Sequence, residues 1–176
     1  SVTGTWPASS IVGGHVGADY RTHEPNGEPP AGILIDNGSP GTAATGPWPA
    51  STAVSGYAGT NYQTQPAGTG ANSYTWSATL PNAGYWRVYA RWTAHANRAN
   101  NAPYAIATST GNQTIPVNQQ ANGGTWNLLG TFNLTTTPSI TLTDQANGYV
   151  VADAVLFVPE GASPNSATWT ATLPNP

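Results

Sequence analysis

One stretch of the sequence decides the fold: Gly84-Tyr85-Trp86-Arg87-Val88-Tyr89-Ala90-Arg91-Trp92. Its residues alternate with period two, so that the tryptophans, valine and alanine share one face and the tyrosines and arginines share the other. Because successive side chains of a strand point to opposite sides, this pattern predicts a half-buried β-strand. The apolar face carries two indole rings, and a second sheet is needed to cover them.

The segment before it, residues 74–80, alternates in the same way. Pro81-Asn82-Ala83-Gly84 joins the two segments, and such residues are typical of a turn, so we expect a β-hairpin. The other strand candidates are residues 33–35, 104–108, 114–118, 125–132, 139–143 and 149–158. No segment keeps a helical period. The sequence therefore predicts an all-β fold, a single jelly-roll β-sandwich of about eight strands. Residues 149–158 are apolar on both faces apart from Asp153, which predicts a central strand with Val155 and Phe157 in the core.

The composition excludes several classes of protein. Charged residues make up 6% of the chain, against roughly 25% in a typical soluble domain. The chain contains no lysine, and its net charge is −3, so no basic patch exists for nucleic acid. No apolar run approaches the length of about 20 residues that crosses a membrane, and membrane insertion is not expected. Such a surface suits either an ordinary secreted protein or one that packs against neutral sugar or copies of itself.

Two parts of the sequence are repeated. Residues 3–9 recur as residues 45–51, and the match continues without gaps to Thr22 and Thr64. Residues 166–175 recur as residues 73–82. The chain is therefore divided into an N-terminal arm (1–31), a complete unit (32–160) and a C-terminal arm (161–176), and neither arm contains enough of the unit to bury a core. We expect the arms to dock on neighbouring copies by strand exchange, and the expected anchors are Trp6, Tyr20, Trp169 and Leu173.

The complete unit carries a specific set of motifs, which covers nearly all of residues 33–159. They include Ile35-Asp36-Asn37-Gly38, Gly56-Tyr57-Ala58-Gly59, Val88-Tyr89-Ala90-Arg91-Trp92, Arg98-Ala99-Asn100-Asn101-Ala102-Pro103-Tyr104 and Gly148-Tyr149-Val150-Val151-Ala152-Asp153. On these residues the unit resembles the golvesin C-terminal-like domain, which also occurs attached to xanthan lyase-like and other secreted enzymes. The resemblance implies a galactose-binding-like jelly roll that serves as a non-catalytic accessory module, and it implies no particular ligand.

The polar residues give little sign of catalysis or metal binding. Asp153 lies in an apolar strand, and a buried carboxylate must be paired or hydrogen-bonded, so we expect Arg91, Arg98 or loop amides as its partners, an arginine first. Asp36 is expected in an Asx turn. No second carboxylate or nucleophile motif suggests an enzyme. The acidic and histidine residues of the N-terminal arm are expected in a solvated loop, so no metal or other cofactor is predicted; they are His15, Asp19, His23 and Glu24.

Aromatic residues are the stronger candidates for binding. They could either stack on sugar rings or anchor a contact between subunits; the candidates are Trp48, Tyr57, Tyr62, Trp126 and Tyr149. Neutral hydrogen-bonding groups could come from Asn118, Gln119 and Gln120. Three Asn-x-Ser/Thr sequons are candidate glycosylation sites, at Asn37, Asn112 and Asn133.

Two functions remain after these exclusions, and both place the protein outside the cell. In the first, favoured by the arms and the low charge, a non-enzymatic structural protein assembles head-to-tail into a filament, and its partners are other copies of itself. In the second, the chain is a carbohydrate-binding accessory module of a secreted multidomain enzyme, and its partner is a neutral polysaccharide.

Overall fold

The computed structural model describes residues 2–7, 32–161 and 166–171, of which the first and last ranges are described by their backbone alone. All regular structure in these ranges is β. The strands are β1 (Val2–Pro7), β2 (Ile33–Ile35), β3 (Thr42–Thr45), β4 (Ala50–Ser51), β5 (Tyr62–Gln65), β6 (Ser73–Ser77), β7 (Gly84–Arg91), β8 (Ala102–Thr108), β9 (Gly111–Val117), β10 (Asn127–Leu134), β11 (Ser139–Thr143), β12 (Val150–Ala152), β13 (Ala154–Pro159) and β14 (Ser166–Ala171). No helix in this part of the chain is long and apolar enough to cross a membrane.

Two large antiparallel sheets form the sandwich. One has the strand order β10-β7-β13-β2 and the other has the order β3-β6-β11-β8-β9. A small sheet, β12-β5-β4, lies beside them. The predicted all-β jelly roll is confirmed, although residues 32–161 contain twelve strands and not about eight. The excess comes from short strands such as β4, of two residues, which have too few side chains to show a period.

The predicted hairpin between the two alternating segments is wrong. β6 pairs with β3 and β11 in the five-stranded sheet, whereas β7 pairs with β10 and β13 in the four-stranded sheet. Residues 78–83 therefore connect the two sheets. An alternating pattern shows which side chains are buried, but it does not show whether two buried faces lie side by side or opposite each other across a core.

The core is the one that the alternation predicts. Trp86, Val88 and Trp92 are at most 3% exposed, and Val155 and Phe157 are fully buried. From the opposite sheet, the indole ring of Trp76 stacks 6.2 Å from the ring of Tyr104. Burial of these large side chains supplies most of the stabilisation, because the hydrophobic effect scales with the apolar area removed from water.

The long apolar segment 149–158 is two strands. β12 pairs with β5 in the small sheet, and β13 lies between β7 and β2 in the four-stranded sheet, so the expected central position holds for β13. Asp153 separates them and lies outside both strands. An uninterrupted apolar run hides this change of sheet, because both strands are buried on both faces.

The two ends of the sandwich differ. At one end, Arg91 of β7 lies opposite Ala154 of β13, and the connections that extend beyond these residues gather there. We call this the loop end; its connections are residues 36–41, 52–61, 92–101, 118–126 and 144–149. At the opposite end, Ile33 of β2 lies beside Phe157 of β13, so the chain enters and leaves the sandwich at neighbouring points.

The terminal strands β1 and β14 pair with each other, antiparallel, within one chain. The side chains of the predicted anchors Trp6 and Trp169 lie outside the described residues, as do Tyr20 and Leu173 entirely. The same holds for His15, Asp19, His23 and Glu24. Docking of the arms on a neighbouring copy remains an expectation, because β1 and β14 already pair with each other within one chain.

Candidate functional site

Three neighbouring strand ends fix the loop 56–59 at the loop end. Both carboxylate oxygens of Asp153 accept hydrogen bonds from the backbone N–H of Ala58, at 3.0 and 3.2 Å. Arg91 donates from Nε to the carbonyl oxygen of Gly56, at 2.9 Å. Gly59 adopts φ +57°, and a side chain there would collide with the carboxylate of Asp36. The side chains of Asp153 and Arg91 thus hold the loop through its backbone, and Gly59 of the loop is exposed to solvent.

The partner of Asp153 differs from the expectation. Asp153 is fully buried as predicted, but in the described residues neither Arg91 nor Arg98 forms an ion pair with it, and a loop amide takes that place. Burial raises the pKa of Asp153 to about 8; the Ala58 hydrogen bond opposes this, the charge of Asp36 adds to it and Arg91 opposes it. Burial also raises the pKa of Asp36. Asp153 holds the loop, and its burial disfavours the ionised form of its carboxyl group.

Arg98 is a buried cation with neutral partners. Its Nη2 donates to the hydroxyl of Tyr62 at 3.0 Å, and its Nη1 donates to Oδ1 of Asn97 at 3.1 Å. The guanidinium carbon lies 5.5 Å from the centre of the Tyr62 ring, within the range of a cation–π interaction. Arg98 therefore links the small sheet to the loop 92–101.

Exposed asparagines link two other segments of the loop end, residues 92–101 and 144–149. The side chain of Asn147 donates to Oδ1 of Asn100 at 2.6 Å, and it accepts from the backbone N–H of Asn100 at 3.0 Å. Asn101 accepts from the backbone N–H of Asn147 at 2.9 Å. Backbone bonds from Ala99 to Tyr149 and from Tyr149 to Asn97 complete the connection. We call Asn97, Asn100, Asn101 and Asn147 the amide cluster.

Tyr149, which is 41% exposed, follows the amide cluster in the chain and is joined to residues 97 and 99 by its backbone hydrogen bonds. Asn118 and Gln120 are exposed in the adjoining connection, where Gln120 donates from Nε2 to the carbonyl oxygen of Arg98 at 2.9 Å. Amide side chains both donate and accept hydrogen bonds, and a tyrosine offers an apolar face with a polar tip. Together they form a surface of polar groups that suits hydroxyl-rich ligands. The exposed ring of His95 belongs to it as well, because its Nδ1 lies 2.8 Å from Oδ1 of Asn97.

The other predicted aromatics are placed differently. Trp48 and Tyr62 are 8% and 1% exposed, so their rings are not available to a ligand. Tyr57 is half-buried, with its ring 5.9 Å from that of Tyr62. Trp126 is half-buried too, and it packs on the outer face of the four-stranded sheet against Tyr89, Leu156 and Val158.

Several predicted polar residues also differ in their surroundings. Gln119 is fully buried, where it donates to the hydroxyl of Tyr104 and exchanges two hydrogen bonds with the backbone of Val151. Of the three sequons, Asn112 and Asn133 are exposed, and Asn37 is half-buried. Their glycosylation stays a prediction.

The sequence interpretation missed the amide cluster and Asp144. Asp144, which is 2% exposed, accepts hydrogen bonds from Gly70 and Asn72 and fixes the connection between β5 and β6. Three asparagines within residues 97–101 were the available signal for the cluster, but asparagine is also common in turns. Within the described ranges, no group of three His, Cys, Asp or Glu residues could hold a metal ion.

Known proteins are similar to this chain in sequence and in fold. Over 101 residues the chain is 38% identical to xanthan lyase of Bacillus sp. (strain GL1), a match that covers 54% of this chain and 11% of that enzyme. The structure of Paenibacillus xanthan lyase superposes with a TM-score of 0.67 at 42% identity, over 72% of this chain and 13% of the enzyme. The chain thus corresponds to a small part of these lyases.

A carbohydrate-binding module has the same fold over its whole length. The family 35 module from an environmental isolate superposes with a TM-score of 0.56 at 19% identity, over 81% of this chain and 99% of the module. The sequence model described as the Golvesin C-terminal domain matches residues 33–159. The chain therefore belongs to the Golvesin C-terminal domain family.

Proposed function

We propose that the chain is an extracellular, non-catalytic module that binds a polysaccharide at its loop end. The observation that carries the proposal is the exposed side chain of Tyr149, whose backbone is hydrogen-bonded to Asn97 and Ala99 next to the amide cluster. A ligand site needs few polar groups, but it needs them preformed, because ordering them on binding would cost affinity. Here the hydrogen bonds between residues 97–101 and 147–149 fix those groups in advance.

The relatives support a binding role over self-assembly. Carbohydrate-binding modules share the fold, and the xanthan lyases contain a similar segment that is 11–13% of their length, which suits an accessory part of a larger enzyme. The filament expected from the arms gains no support from these relatives. On this proposal residues 32–160 form the binding module, and the extracellular location follows from its polysaccharide ligand.

The buried carboxylates support a role without catalysis. Asp153 accepts a hydrogen bond from the Ala58 amide, Asp144 accepts hydrogen bonds from the connection between β5 and β6, and both carboxylates are buried. A hydrolase would need carboxyl groups that face the substrate. The amide side chains around Tyr149 can bind hydroxyl groups but are neither acids nor bases, and the exposed ring of His95 is engaged with Oδ1 of Asn97.

Affinity electrophoresis in gels that contain xanthan, a β-glucan or a mannan would test the proposal. We expect the full-length chain to be retarded by at least one of them, and Tyr149→Ala to weaken that binding by about tenfold or more, a loss of about 1.4 kcal/mol. The matched control is Tyr85→Ala, because Tyr85 is 64% exposed at the start of β7, far from the loop end. Circular dichroism would verify that both variants stay folded.

Two results would reject the proposal. One is free migration of the full-length chain in every gel. The other is equal weakening by Tyr149→Ala and Tyr85→Ala, which would place the ligand away from the loop end.

A further inference from the structure

The two terminal strands copy parts of the module that are neighbours in its sequence. Residues 3–22 match residues 45–64 at eleven of twenty positions, and residues 166–175 match residues 73–82 at eight of ten. In the module only residues 65–72 separate the two originals. Between the two copies lies the whole of residues 23–165. The complete module thus lies between the two copies where the short loop of residues 65–72 lies between the two originals.

The copies also pair with each other, but through a different stretch. Val2 and Thr3 of β1 correspond to the end of β3, whereas residues 4–7 correspond to residues 46–49, which lie outside β3. In the module, β3 and β6 are antiparallel neighbours, with Thr45 opposite Ser73. β1 and β14 are also antiparallel neighbours, although most of the chain lies between them. Their register differs, because Thr3, the counterpart of Thr45, lies opposite Thr170 and not opposite Ser166, the counterpart of Ser73. A slip of four residues keeps the same side chains on each face, since the period of a strand is two.

The geometry of the module suits an insertion. Ile33 and Phe157 are partners in the four-stranded sheet, so the module's two ends are adjacent. The connection between β5 and β6 is exposed at residues 66–69. Domains with adjacent ends are tolerated as insertions in exposed loops, because neither fold has to open. Residues 23–31 and 161–165, which would join the two folds, are rich in proline, glycine or both.

The terminal pair lacks most of a module. The sequence contains no second copy of β2 or of β7 to β13. A sheet of two strands is marginally stable alone, and the counterparts of Trp169 and Leu173, Trp76 and Leu80, are at most 2% exposed in the module. In the module the second neighbour of β6 is β11. Among the described strands, β14 has β1 as its one neighbour, so its other edge is open to a strand like β11.

We propose that the terminal segments are the β3–β6 part of a second module, into whose β5–β6 loop the complete module is inserted. The open edge of β14 is then a docking site for one kind of partner: a segment with the strand pattern of residues 84–159. Docking of that segment moves β1 and β14 by four residues into the register of β3 and β6. This inference is independent of the proposed function.

A segment exchange tests whether the terminal sequences can build a module. In the full chain, residues 45–64 are replaced by the sequence of residues 3–22, and residues 73–82 by that of residues 166–175. Most buried side chains of these segments are retained, but the buried Tyr74 becomes alanine, the residue at position 167. We therefore expect a folded protein that melts about 10–20 °C below the parent. A control replaces the same positions with a shuffled sequence of the same composition, and it should not fold. An exchange variant that unfolds like the control would overturn the proposal.

A disulfide trap tests the docking site. The full chain is extended by a copy of residues 32–42 before Ser1 and a copy of residues 84–159 after Pro176. The chain has no cysteine, so an introduced pair reports the register without interference. We expect oxidation to join the pair Thr3→Cys with Ser166→Cys in the extended chain, and the pair Thr3→Cys with Thr170→Cys in the unextended chain.

In the control extension, the added copy carries alanine at the positions copied from Trp92 and Phe157, which removes its core and should abolish the change of register. A link between positions 3 and 170 that persists in the extended chain would refute the docking site, as would an extension that leaves both pairs reduced.

Discussion

The buried carboxylate of Asp153 gives the module an unusual dependence on pH. Burial raises its pKa from the ordinary value of 3.8 to about 8 in the folded state. The folded state therefore binds a proton that the unfolded state has lost, at every pH between these values. Under the linkage relation, the contribution of Asp153 to stability is fully present below pH 3.8 and is lost as the pH rises towards 8. This is opposite to the usual effect of a salt-bridged aspartate.

The magnitude follows from the shift. Each pH unit in this window removes about 1.4 kcal/mol, so raising the pH from 5 to 7 should lower the contribution of Asp153 by about 2–3 kcal/mol. For a domain of this size that corresponds to a fall of about 5–10 °C in melting temperature. Asp36 contributes in the same direction, because burial raises its pKa too.

The variant Asp153→Asn isolates the effect. Its amide oxygen can still accept the hydrogen bond of Ala58, but the group cannot ionise. Chemical denaturation at pH 5, 6, 7 and 8 should therefore show that the unfolding free energy of the parent falls relative to that of Asp153→Asn as the pH rises. Asp153→Ala removes the acceptor as well and should be destabilised at every pH. Parallel curves for the parent and Asp153→Asn would refute the reasoning, since they would mean that Asp153 does not titrate in this window.

Three further substitutions test the core and the loop connections. Trp92→Ala should cost about 3–5 kcal/mol in chemical denaturation, and a loss below about 1 kcal/mol would contradict the burial of this side chain in the core. Gly59→Ala should destabilise more than Gly38→Ala: both glycines have positive φ, but a methyl group at 59 meets the carboxylate of Asp36, whereas nothing lies within 4 Å at 38. Equal melting temperatures would disprove that contact. Asp144→Ala should cost about 2–4 kcal/mol by leaving the amides of Gly70 and Asn72 unpaired, and hydrogen exchange in residues 68–72 should become faster. Unchanged protection of these amides would show that Asp144 does not hold this connection.

The alternation of the sequence predicted the fold class and the core, but it could not predict which strands are neighbours. Residues 84–92 showed a buried face because two tryptophans, a valine and an alanine recur with period two, and those side chains are buried. The pairing of β6 with β7 was wrong because a pattern of faces carries no information about the sheet to which a strand belongs. The break at Asp153 was missed for a related reason, since apolar strands on either side of it merge into one run.

The site was only partly predictable. Tyr149 was among the candidate aromatics, but no pattern in the sequence separates it from Tyr62, which also lies near Arg98. Burial separates them: Tyr62 is 1% exposed and Tyr149 is 41% exposed. The amide cluster depends on contacts between residues 97–101 and Asn147, which are distant in the sequence. Such contacts arise from the folded connections and leave no local pattern.

Binding of a polysaccharide at the loop end is tested most directly by an NMR titration. An isotope-labelled sample of the full chain would be titrated with an oligosaccharide prepared from the polysaccharide that retards it in affinity electrophoresis. We expect the shifts of backbone and side-chain amides to change at residues 95–101, 118–120 and 145–149, and to remain unchanged at Tyr85 and along β9. Shifts that cluster on the outer face of the four-stranded sheet around Trp126, or on the β9 edge, would contradict the account.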